Sequence, residues 1–212
     1  MVGRSWIRRY FKETPINLGN FVTWRGLALL CIAGLLWAPA WADDLQLSVT
    51  REKGGVVLID AELLVPIPLE IAWEVLTDYP HMTEYIAGLT ESRVVSGPDE
   101  PLRVLQRGKV TLGWFSHDYE VEREVSLIPD AEIRSRVVRG NMKRFDTTMT
   151  VVAEGAATRI RYHSESVPGF WIPPLIGTAL MRRQITEHLT ALRTEMQRRH
   201  AARLHPPAGS GG

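Results

Sequence analysis

Val65–Leu89 reads VPIPLEIAWEVLTDYPHMTEYIAGL, and the order of residues in this stretch decides how the chain folds. An alternating apolar segment runs up to Val65, where Pro66 and Pro68 stop it. A short amphipathic helix follows, carrying Ala72, Trp73, Val75, Leu76 and Tyr79. Proline suits the start of a helix because the N–H it lacks has no intrahelical partner there. Asp78-Tyr79-Pro80 ends this helix, and a second short apolar turn holds Met82, Tyr85, Ile86 and Leu89. The stretch therefore encodes a strand followed by two short helices.

Working towards the N-terminus, Lys53-Gly54-Gly55 is a turn signal between two alternating runs. Leu45, Leu47 and Val49 form one, and Val57, Ile59, Ala61, Leu63 and Val65 the other, so a hairpin is expected. Before them, Gly26–Ala42 reads GLALLCIAGLLWAPAWA, with Arg25 in front. A charged flank, a short apolar core and an Ala-Trp-Ala exit are the parts of a secretory signal. Residues 1–42 are read as that signal, with cleavage between Ala42 and Asp43 and a periplasmic product. The alternative is an N-terminal membrane anchor, but a spanning helix wants about 20 apolar residues and Pro39 interrupts this run. The long polar segment ahead of Arg25 fits either a true start at Val22 or a twin-arginine signal around Arg8-Arg9-Tyr10-Phe11. Cys31 is the only cysteine; Leu30 before it does not suit lipid attachment, and cleavage leaves a chain without disulfides. The leader holds five of the 25 basic residues and one of the 24 acidic ones, so the remainder is acidic by three. Nothing in that balance points to nucleic acid.

Working towards the C-terminus, alternation continues. Strands are expected near Arg93-Val94-Val95, from Leu102 to Leu112, from Phe115 to Leu127, from Ile133 to Val138, from Phe145 to Val152 and from Thr158 to Ser166. Phe115, Tyr119, Val121, Val125 and Leu127 alternate most cleanly, against Asp118, Glu120, Glu122 and Glu124. Connections this short imply antiparallel pairing in a meander. PGFWIPP, Pro168–Pro174, is a rigid aromatic linker, and a long helix is expected from near Pro174. Met181, Ile185, Leu189, Leu192 and Met196 make one apolar stripe along it. Residues 205–212 read as a disordered tail, so the domain spans 43–204.

Several of these residues together resemble the START-like superfamily, and within it the polyketide cyclase/dehydrase and coenzyme Q-binding group. They are Pro68 with Ala72-Trp73-Glu74-Val75-Leu76-Thr77-Asp78-Tyr79, then Tyr85-Ile86-Ala87-Gly88-Leu89, Arg139-Gly140 followed by Phe145, Thr158 with Tyr162, and Pro168 before the long helix. The resemblance covers nearly all of residues 43–204. It implies an α+β helix-grip fold: a curved antiparallel sheet of about seven strands around a long C-terminal helix, with a hydrophobic cavity between them. A shared fold does not transfer chemistry.

Such a cavity is lined by one helix face and by inward strand residues. The candidates are Trp73, Tyr85, Ile86, Leu89, Phe115, Tyr119, Phe145, Met149, Tyr162, Trp171, Leu180, Met181 and Ile185. Any of them could equally be ordinary core. Trp114-Phe115 and Phe170-Trp171 sit where they could gate the cavity, touch a membrane or cap the core. Polar signals are weaker. Neighbours such as His117-Asp118 and His163-Ser164 point to opposite faces of a strand, and His163 is expected to face solvent. Arg134, Arg136, Arg139, Lys143 and Arg144 form a basic patch, readable as a site for anionic headgroups or as a solvated strand face. Asp78 is expected to end its helix. No residue set supplies a nucleophile with its base and orienter, no metal-ligand spacing appears, and no cofactor is implied.

The expected function is therefore periplasmic binding or transport of a lipid, quinone or other isoprenoid, with transient membrane contact. One alternative is a cyclase or dehydratase acting on a hydrophobic, polyketide-like substrate, for which Tyr85, Tyr119, Tyr162 and His163 are the available acids and bases. Another is a ligand-free interaction module.

Overall fold

Alternating sequence becomes strand almost wherever it occurs. The computed structural model describes residues 45–172 and 176–205; the signal segment, its cleavage point, Pro174 and the C-terminal tail lie outside them. The strands are β1 (Leu45–Arg51), β2 (Val57–Val65), β3 (Leu89–Val94), β4 (Arg103–Leu112), β5 (Phe115–Ile128), β6 (Glu132–Gly140), β7 (Met142–Glu154) and β8 (Ala157–Pro168). They form one eight-stranded sheet, a strand more than about seven, in the order β1-β2-β8-β7-β6-β5-β4-β3. All neighbours pair antiparallel. β3 to β8 make the expected meander, but the second neighbour of β2 is β8, not β3. Leu89, expected in the apolar turn, opens β3 instead.

Two short helices carry the chain from β2 across to the far edge of the sheet: α1 (Leu69–Thr77) and a 3-10 helix (Tyr79–Glu84). Pro68 stands just before α1 in extended conformation, and its carbonyl accepts from the Ile71 and Ala72 N–H groups. The chain closes with α2 (Gly177–Leu204), whose Ile185, Leu189, Leu192 and Met196 are buried. The core sits between α2, α1 and the inner face of the sheet, around Leu63, Val65, Val75, Ile160, Leu189 and Met196.

The outer face is held by cross-strand ion pairs. Arg107 bonds Glu91 on β3 and Glu120 on β5 at 2.6 and 2.7 Å, and Arg159 and Arg161 both reach Glu62 on β2. Arg134, Arg136 and Arg144, expected in a basic patch, engage Glu132, Glu124 and Asp146. That patch is largely neutralised. His163 does face outward and meets Asp60 at 2.7 Å.

Asp78 ends α1 as expected, but its carboxylate also binds His81 at 2.5 Å and Arg199 of α2 at 2.7 Å. Burial raises its pKa; the bonds from His81 and Arg199 outweigh this and hold it below the usual range. Arg199 also bonds Glu195, and Arg203 bonds Glu74, so the end of α2 is fastened to α1. Asp78→Asn is expected to cost about 1–2 kcal/mol, because Arg199 keeps a partly buried charge with one partner fewer. Urea unfolding at pH 7 checks this, and the deficit should shrink as the pH falls through the lowered pKa of the parent carboxylate.

Candidate functional site

Inward strand residues and one face of α2 enclose a cavity of about 250 Å³. Met181, Gln184, Ile185, His188 and Leu192 line it from the helix; these positions are spaced three to four apart and so share a face. Tyr119, Val121 and Arg123 of β5, Phe145, Thr147 and Met149 of β7, and Tyr162 and Ser166 of β8 line it from the sheet. Tyr79, Met82 and Ile86, in or just after the 3-10 helix, complete the wall. Lys109, Met142, Pro168 and Phe170 lie at its open end, where Phe170 stacks on His117 with ring centroids 3.9 Å apart.

Among the residues proposed from sequence, Ile86, Tyr119, Phe145, Met149, Tyr162, Met181 and Ile185 come together here. The others lie elsewhere. Tyr85 donates its hydroxyl to the Val75 carbonyl, and burial pushes its pKa up to about 12. Trp73 and Leu89 pack into or against the core. Phe115 is buried edge-to-face with Trp114. Leu180 is fully buried one helical step off the lining face. Trp171 is 70% exposed beside an adjoining groove with Arg51 and Lys143, and Trp114 is 80% exposed in the β4–β5 turn. Trp171 directly follows the lining residue Phe170, and Trp114 lies in the turn after the β4 strand that carries Lys109 and Val110.

The polar side of the cavity escapes a reading based on apolar residues. Arg123 Nη2 donates to Gln106 Oε1 at 2.7 Å, and Nη1 to Ser135 Oγ at 3.2 Å. Gln106 in turn donates to Ser92 at 3.2 Å, and Ser135 meets Thr147 at 2.7 Å. A chain of polar groups thus crosses β3 to β7. Arg123 also lies 5.8 Å from the centre of the Phe145 ring, while its Nε is buried without an acceptor. A one-residue slip in the β5–β6 register, from Glu122↔Arg139 to Arg123↔Val137, sits beside it. Such bulges re-aim side chains near sites. Alternation with Tyr119, Val121 and Val125 was the available signal for Arg123, as was spacing from Met181 and Ile185 for His188.

His188 is enclosed by protein, and desolvation together with the positive charge of Arg123 lowers its pKa to about 4. The imidazole is therefore neutral at pH 7. Burial raises the pKa of Tyr79, Tyr119 and Tyr162, against the opposing field of Arg123. Among the described residues no group of three His, Cys, Asp or Glu side chains could hold a metal, and no helix is long and apolar enough to cross a membrane.

Tyr119 reaches its place because residue 108, directly across from it on β4, is glycine. A Cβ there would fall 2.7 Å from the Tyr119 hydroxyl oxygen and 2.5 Å from the Gly88 carbonyl oxygen. Gly108→Val is expected to displace the Tyr119 ring and destabilise the fold by about 1–3 kcal/mol. Thermal unfolding and near-ultraviolet circular dichroism check both effects.

A curved antiparallel sheet gripping one long C-terminal helix over an internal cavity is the helix-grip fold of the START-like superfamily. Solved structures of that fold superpose on the chain. A STAR-related lipid transfer protein from Xanthomonas axonopodis is 16% identical, with a TM-score of 0.58 over 74% of this chain and 95% of that one. The Zhui aromatase/cyclase of a Streptomyces species is 12% identical, with a TM-score of 0.56 over 73% and 99%. Human StAR-related lipid transfer protein 5 is 15% identical, with a TM-score of 0.55 over 73% and 88%. At these identities the likeness speaks for the fold alone. Among curated proteins none matches the sequence. The chain belongs to the family described as polyketide cyclase/dehydrase and lipid transport, whose profile matches residues 57–197.

Proposed function

We propose that the protein binds and carries a hydrophobic small molecule, a lipid, quinone or other isoprenoid, in the cavity between α2 and the sheet. The observation that carries this reading is the cavity itself, walled by Phe145, Met149, Met181 and Ile185 beside a few convergent polar groups. Ligand sites are typically built this way. Its volume, about 250 Å³, lies just below the usual range for such sites and suits one chain or one ring system rather than a two-chain lipid. Burying apolar ligand surface at roughly 25 cal/mol per Å² supplies the affinity. Trp114 and Trp171 are suited to brief contact with a membrane surface, where aromatic rings with a polar edge are favoured. Export by the N-terminal signal belongs to the same proposal and gives the carrier a periplasmic setting.

His188 favours a second reading, an enzyme of the cyclase or dehydratase kind, since it is the one enclosed histidine among the described residues. It is the weaker reading on physical grounds. A general base works best with a pKa near the operating pH, and His188 at about 4 is far below it. Among the described residues no carboxylate or hydroxyl is hydrogen-bonded to orient its imidazole. Native mass spectrometry of the protein purified from its own cells, followed by denaturing extraction, separates the readings. A stoichiometric lipid or isoprenoid supports the carrier and names its cargo. An empty protein that takes up no lipid when lipids are offered overturns it.

A further inference from the structure

Most arginines of the outer face have carboxylate partners: Arg93, Arg103, Arg107, Arg136, Arg144 and Arg159 each bond at least one. Arg123 stands on the inner face, and among the described residues no carboxylate lies within 4.0 Å of it. Its two bonds go to neutral oxygens, of Gln106 and Ser135, and the cavity it shares is walled mainly by apolar and neutral side chains, among them Tyr119, Phe145 and His188. An enclosed charge without a counter-charge is costly. A core position that needed only to be filled would be cheaper with an aliphatic side chain. The field is felt across the cavity, at His188 and at Tyr79, Tyr119 and Tyr162. Nothing in the lining cancels it, because Glu187 at the rim is committed to Arg183 at 2.7 Å.

Resting on the carrier reading, we propose that the missing counter-charge is supplied by the cargo: the cavity selects a single-chain amphiphile whose carboxylate binds Arg123. A planar guanidinium matches a carboxylate in shape as well as charge. Ser135 and Gln106 hold the guanidinium from either side, so the head group meets a donor already in position. Along β5 the distance from His117 at the open end to Arg123 is roughly 20 Å at ~3.3 Å per residue. The tail therefore lies along Tyr119, Phe145 and Met181 and points to the exit, while Met149, level with Leu127, closes the far side of Arg123. The neutral imidazole of His188 suits this arrangement, since a second cation there would compete for the head group.

Equilibrium dialysis of the purified protein at pH 7.5 against radiolabelled dodecanoate and dodecan-1-ol tests the proposal directly, because the two differ only at the head. The protein is expected to bind dodecanoate about tenfold or more tightly, the usual worth of a charge-assisted hydrogen bond. Arg123→Met should abolish or invert that preference while still binding dodecan-1-ol, and Arg123→Lys should keep part of it. Equal binding of the two, tighter binding of the alcohol, or a preference unchanged in Arg123→Met overturns the head-group assignment and leaves the carrier reading standing. If neither compound binds, the head-group proposal falls, and native mass spectrometry alone then decides the carrier reading.

Discussion

Met181→Asp is expected to weaken binding of dodecan-1-ol by roughly 100-fold or more while the protein keeps its fold. Met181 lines the cavity from α2 but is only half-buried, unlike Ile185 one turn on. The aspartate can therefore turn towards the open end in the empty protein at modest cost to stability. With an apolar chain in place it loses that water, and stripping a charge of water without a partner costs several kcal/mol, about 3 being a hundredfold. Equilibrium dialysis gives the affinity, and far-ultraviolet circular dichroism shows whether the fold is retained. Undiminished binding in a folded Met181→Asp protein would place the ligand somewhere other than this cavity.

The second large effect is on stability against pH. His188 has a folded pKa of about 4 against 6.5 in the unfolded chain. A depressed pKa means that the fold holds the neutral ring, so its contribution is complete above pH 6.5 and is withdrawn as pH falls towards 4. Between pH 7 and pH 5 the loss is about 2 kcal/mol, at 1.36 kcal/mol per unit. Other groups mask little of this window. His81, raised by its bond to Asp78, gains its contribution as the pH falls towards 6.5 and opposes the loss only at the top of the range. Asp78 and Glu195, both lowered, lose theirs only as the pH falls below their unfolded values of 3.8 and 4.5. Urea unfolding of the parent protein should therefore lose stability from pH 7 to pH 5, and His188→Leu should not. A parent protein with level stability across that range would mean that His188 takes up its proton freely, and the cavity would have to be wetter than its walls suggest.

How legible was this in the sequence? The architecture was written in two periodicities. Period two marked the inner-facing Tyr119, Phe145, Met149 and Tyr162, and the helical stripe marked Met181 and Ile185, because burial of one face is a local demand that each segment meets alone. What the pattern does not contain is partnership between segments. Leu63 faces Ile160 through a register that joins β2 to β8, which no local signal announces. Arg123 and His188 fall on the apolar faces at regular spacing, yet a search for apolar residues passes over them. Their roles arise only when Gln106, Ser135 and Thr147 arrive from three other strands. Trp171 and Phe115 show the opposite error: large aromatics next to turns look like cavity lining, but turn geometry, not composition, aims them.

The pairing of β2 with β8 has a consequence for how the molecule comes into being. Val57 waits for Ser166 and Val65 for Thr158, and the Thr158 hydroxyl closes onto the Ile67 carbonyl across 91 residues of chain. Folding rates fall as contacts become more distant in sequence, because the loop must be closed before the contact rewards it. The hairpin of β1 and β2 and the meander from β3 to β7 can each form early as neighbours in sequence. Neither completes a core until β8 docks between β2 and β7 and α2 closes over them. Assembly is thus held open until nearly the whole chain is present, and the last elements made are the ones that create the cavity.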